Sequence, residues 1–127
     1  MGYYSTLIAQ KPVKTSLTEK EFFEKWEKAK ESLAGDKESE GYLDMYNWEV
    51  WKRDGECTWY YLEMEEFYAK HYADEALAVF ISEVIADGEK CLLEFCGEDG
   101  FNWGYYITKG SVKDIEYVKM VDGKPIE

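Results

Sequence analysis

Three carboxylates stand close together in the stretch "YYLEMEEFY": Glu63, Glu65 and Glu66. Alternate residues of a strand share a face, so Glu63 and Glu65 project together. Asp54-Gly55 reads as a two-residue type I′ hairpin turn, because both positions tolerate positive φ. That turn would set Arg53 against Glu56, Trp48 against Tyr61, Tyr46 against Glu63 and Asp44 against Glu65. Three carboxylates within cross-strand reach could hold a divalent cation or form an acid/base pair with separated pKa values. The competing interpretation is a strand leaving the core for solvent, since opposed like charges cost stability. No D-x-D motif accompanies them. His71 is the only histidine. It lacks the nucleophile and G-x-S-x-G frame that a catalytic histidine needs, so it reads as a polar boundary residue before a helix.

The cysteines point away from a metal. Cys91 and Cys96 are five apart on one expected strand, which sends them to opposite faces. Cys57 lies on another strand, so no C-x-x-C pair exists. Small buried hydrophobes is their expected role, in the reducing environment that an odd number of thiols without an export signal implies. Neither a dinucleotide fingerprint nor a phosphate-binding loop occurs. No cofactor and no catalytic residue is expected.

The elements that must carry these groups follow from pattern. Residues 3–10 read as a strand and 11–16 as a loop broken by Pro12. Thr18 and Glu21 form a capping box, with Leu17 and Phe22 at staple positions. The helix they open carries Phe22, Trp26, Ala29 and Leu33 on one stripe and stops at Gly35. A polar connector over 35–41 leads to strands at 42–52 and 56–67. In the expected register one hairpin face holds Tyr46, Trp48, Val50, Cys57, Trp59 and Tyr61, and the other Leu43, Met45, Trp51, Tyr60, Leu62 and Met64. Both faces are apolar, which leaves a surplus face for an aromatic platform or a self-association surface. A second amphipathic helix spans 73–87, ended by Gly88, and strands at 90–96, 101–108 and 112–121 complete the chain. The order β-α-β-β-α-β-β-β gives an α+β fold over residues 1–127. It has a mostly antiparallel sheet with two helices on one face, a ferredoxin-like core and an extra C-terminal hairpin.

The net charge of −12 is unevenly placed, nearly all of the acidic excess following residue 34. Such a surface repels nucleic-acid backbones and anionic lipid and attracts basic proteins. The alternative is that acidity serves solubility alone. The opening "MGYYST" fits a myristoylation pattern, but no second membrane signal follows it.

"MGYYSTL", the central "AKHYADEALAVFISEVI" and the closing "GEDGFNWGYYITKGSVKDIEYV" resemble the layout of a group of small acidic prokaryotic and phage proteins of unknown function. The resemblance implies a prokaryotic or phage setting and no activity.

The expected function is therefore that of a small acidic non-enzymatic protein. It would bind and block a basic partner, in the manner of an anti-CRISPR or DNA-mimic inhibitor. The partner-binding residues expected are Asp44, Glu63, Glu65, Glu98 and Asp99, with Trp48, Trp59 and Trp103 as aromatic anchors. The alternatives are a toxin-immunity protein, a homo-oligomeric structural domain, and a small-ligand or metal-binding enzyme using Glu63, Glu65 and His71.

Overall fold

The computed structural model describes residues 2–33, 41–118 and 120–125. The fold is α+β, with antiparallel sheets and two α-helices. A five-stranded sheet runs β5 (Tyr68–Ala69), β1 (Ser5–Gln10), β6 (Cys91–Gly97), β7 (Asn102–Thr108), β8 (Ser111–Asp114). A three-stranded sheet runs β2 (Val13–Thr15), β4 (Cys57–Glu63), β3 (Asn47–Asp54). A short ribbon, β9 (Met120–Val121) with β10 (Lys124–Pro125), ends the described chain.

Helix α1 (Glu19–Ser32) begins where the capping box places it. The Thr18 hydroxyl accepts from the Glu21 amide at 3.1 Å, and the Glu21 carboxylate accepts from the Thr18 amide at 3.0 Å. Those two bonds satisfy donors that the first turn leaves free. The expected stop at Gly35 and the connector up to residue 40 lie outside the described residues. Helix α2 (Asp74–Val84) is shorter than its apolar pattern predicts. The chain turns extended at Ile85, and the Ala86 amide donates to the Lys14 carbonyl at 2.8 Å. Gly88, expected to close the helix, sits beyond it with a φ of 80°.

α1 packs on the three-stranded sheet, where Phe22 stacks on Tyr60 at 3.9 Å between centroids. α2 packs on β7 and β8 and against α1. Phe80 of α2 reaches Phe22, Trp26 and Trp48, so one buried cluster joins the two layers.

Four expectations are corrected here. The ferredoxin-like plan needs the central hairpin in the same sheet as the first strand. Instead β2 pairs with β4 and draws the hairpin into a sheet of its own, while β1 pairs with β5 and β6. β2 itself falls in the stretch expected to be a loop; Pro12 precedes it and removes no ladder bond from it.

The hairpin register also differs. Asp54 pairs with Cys57, leaving Gly55 and Glu56 as the turn. Gly55 has a φ of 61° and Glu56 a negative one, the pattern of a type II′ turn. A bulge at Trp51 then shifts the register again, so that Val50 opposes Tyr60 and Trp48 opposes Leu62. Trp48, Val50, Tyr60 and Leu62 thus share the covered face, which mixes the two sets expected from sequence.

Lastly, the 42–52 strand starts late. Tyr42–Met45 form a 3₁₀ turn, and Asp44 sits in it rather than across from Glu65.

Candidate functional site

The expected residues that the fold brings together are Glu98, Asp99 and Trp103, at the turn joining β6 to β7. The turn closes with the Gly100 amide donating to the Gly97 carbonyl at 2.9 Å, and Gly100 holds a φ of 83°. Asp99 Oδ1 accepts from the Phe101 amide at 3.1 Å. The same oxygen accepts from the Tyr3 hydroxyl at 2.5 Å. That hydroxyl crosses directly over Gly97, where an added Cβ would lie 1.6 Å from it. The glycine is therefore a condition of the contact, because any side chain there would expel the tyrosine.

The neighbouring Glu98 is held through its backbone. The Glu98 amide donates to the Tyr4 carbonyl at 2.9 Å, tying the N-terminal segment to the turn. The Tyr68 hydroxyl is pushed above its ordinary value by desolvation, then by the charge and hydrogen bond of Glu98. Tyr4 and Tyr68 stack at 5.3 Å, with the Lys70 ammonium 5.5 Å from the Tyr4 ring. Phe101 is 64% exposed and stacks on Trp103 at 6.1 Å. The hydrogen bond to Asp99, then desolvation, raises the Tyr3 phenol to about 12. Its partner Asp99 is held below the usual carboxylate range, first by Tyr3 and then by the Phe101 amide. Asp99 thus stays ionised across the neutral range.

The remaining expected residues are dispersed. Asp44 lies 3.6 Å from Lys30, which also pairs with Glu27 at 3.0 Å. Glu63 and Glu65 are exposed beyond the covered part of β4, on either side of buried Met64. Trp48 is 6% exposed and therefore part of the core, not an anchor. Trp59 lies on the outer face of its sheet under two cations, Lys52 at 4.4 Å and Lys14 at 5.1 Å. An anchor for a basic partner would not be covered by lysines, so Trp59 leaves the candidate set. Among the described residues no group of histidine, cysteine and carboxylate side chains could hold a metal ion.

His71 is not a boundary residue. It is buried, with Nε2 donating to the Phe67 carbonyl at 2.8 Å and Nδ1 accepting from the Tyr46 hydroxyl at 2.5 Å. Burial lowers its pKa and raises that of Tyr46. Both ring nitrogens are occupied, and Tyr46 and Phe95 cover its faces at 5.7 and 5.1 Å. The enzyme alternative needed His71 beside Glu63 and Glu65 with a free nitrogen. The ring instead works as a structural bridge.

Sequence reasoning missed Asp74. At the start of α2 its Oδ2 accepts from Trp103 Nε1 and from the Tyr105 hydroxyl, each at 2.7 Å. Trp103 and Tyr105 are alternate residues of β7 and so share one face. An acidic residue opening a helix, followed by two polar aromatics at strand spacing, was the available signal. Trp103 also stacks on Phe95 at 5.5 Å and touches Tyr3 at 6.1 Å. Rings and hydrogen bonds therefore run continuously from buried His71 to the acidic turn.

No protein-family model, curated protein or solved structure matches the chain.

Proposed function

We propose that this is a non-enzymatic acidic protein that docks on a basic protein surface and blocks it, as a DNA-mimicking inhibitor of the anti-CRISPR kind or a toxin-immunity protein would. The observation that carries the proposal is the bracing of Asp99 by the Tyr3 hydroxyl and the Phe101 amide, with Glu98 tied beside it through its backbone amide and Phe101 exposed. Carboxylates held in place lose little freedom on binding, and an exposed ring beside them supplies apolar contact. A chain of net charge −12 steers itself to a cationic partner. Cys57, Cys91 and Cys96 are all unpaired, which fits a reducing, cytoplasmic compartment. Among the described residues no helix is long and apolar enough to cross a membrane.

The test is affinity capture at low salt, comparing the natural chain with the Glu98→Gln/Asp99→Asn double variant. The proposal expects one basic protein that elutes at a defined salt step. The double variant should bind it at least about tenfold more weakly. Equal retention by the two chains, or a diffuse set of basic proteins, refutes it.

A further inference from the structure

A groove of 630 Å³ opens between α1 and α2. One wall carries Lys25 and Lys28 from α1, and the other Asp74, Glu75 and Glu83 from α2. Facing helices with such complementary charge usually join by ion pairs. Here none of the ion pairs among the described residues crosses the groove: they join Lys20 to Glu24, Lys30 to Glu27 and Asp44, and Arg53 to Glu19. The two walls thus carry opposite charges that stay unjoined, on exposed side chains except for half-buried Asp74. Phe80 and Val79 line the same space, and Val79 is 43% exposed. Asp74 does not swing, because Trp103 and Tyr105 both hold its Oδ2. The volume suits a small molecule.

We infer that this groove is a binding site for a small zwitterion with an excess of positive charge, of the size of a basic amino acid or a dipeptide containing one. Three carboxylates against two ammonium groups leave the lining one negative charge in excess. A ligand with two cationic groups and one carboxylate matches it group for group. Its cations would meet the α2 wall and its carboxylate the α1 wall, with its carbon chain over Phe80. A ligand with its charges reversed would meet like charges on both walls, so the groove discriminates by charge placement.

The probe is the dipeptide lysyl-alanine, titrated into the full chain and followed by amide chemical shifts. Saturable shifts are expected at Ala29, Ala76 and Val79, with a Kd of about 1 mM or tighter. The Lys25→Gln/Lys28→Gln and Glu75→Gln/Glu83→Gln pairs should each weaken it at least about tenfold. These are surface changes, so the test survives if Asp74→Asn fails to fold. The Glu98→Gln/Asp99→Asn variant should leave the titration unchanged, which separates this site from the acidic turn. Shifts that do not saturate, an affinity unaltered by both groove pairs, or an affinity lost with Glu98 and Asp99 would each overturn the inference.

Discussion

Two aromatic clusters build the interior, and they handle polar atoms in opposite ways. Under the five-stranded sheet His71, Tyr46, Trp103, Tyr105 and Asp74 form a wired cluster in which each ring's polar atom has a partner. Between α1 and the three-stranded sheet Phe22, Trp26, Trp48 and Tyr60 pack ring on ring. In that second cluster Trp48 Nε1 and the Tyr60 hydroxyl are buried without a hydrogen-bond partner among the described residues. A cluster held by dispersion depends on volume. One held by hydrogen bonds depends on the identity of each partner. The wired cluster is also the one connected to the acidic turn, so geometry is fixed most tightly where the candidate site needs it.

Substitutions can break this contrast. The largest effect is expected from Phe22→Ala, which removes the ring stacked on Tyr60 and touching Trp48 and Phe80. We expect a loss of about 3–5 kcal/mol in urea unfolding. Asp74→Ala comes next, because it strips the acceptor from two donors while removing little volume. About 2–3 kcal/mol is expected, and a loss below about 0.5 kcal/mol would mean that the wiring is incidental.

The wired cluster should also respond to pH. Burial lowers the His71 pKa from 6.5, so the unfolded chain takes up a proton that the folded chain refuses. The contribution is complete above the unfolded value. It is lost as pH falls from there towards the lowered folded value. Unfolding midpoints of the natural chain should therefore drop across that window more than those of His71→Gln. Parallel profiles would show that the histidine does not titrate as its surroundings demand.

The smallest effect sharpens the contrast from the other side. Tyr60→Phe deletes a hydroxyl that has no partner among the described residues and keeps the ring. Stability should hold or rise by up to about 1 kcal/mol, read as a shift in the thermal midpoint. A clear loss would reveal a partner for that hydroxyl.

What the sequence discloses is local. The start of α1 was legible because a capping box lies within four residues. The strands β6 and β7 were legible because turn residues bound them, and the opposite facing of Cys91 and Cys96 followed from the strand period. The hairpin itself was legible, but its register was not. Asp54-Gly55 permits either of two turn frames, and the Trp51 bulge shifts the pairing again. A one-residue slip exchanges the faces of a strand, so Trp48 moved from expected anchor to core. Of the expected site, the Glu98-Asp99 turn was visible as a pair of acids between glycines. Its bracing by Tyr3 and the role of Asp74 were not, because those partners are distant in the chain and meet only in the folded sheet.

The place of β1 between β5 and β6 has a consequence in time. This strand precedes every other described strand, yet its main partner β6 comes more than eighty residues later, and β5 only shortly before that. As the chain emerges from a ribosome, α1 and the β3–β4 hairpin can assemble with β2 while Ser5–Gln10 is still without a neighbour. The five-stranded sheet then closes on a strand made well before its main partner. Closing so long a loop is slow, so this sheet is expected to set the folding rate. Until it closes, the acidic turn has no tyrosines to brace it, and the protein acquires its candidate binding surface only with its last major folding event.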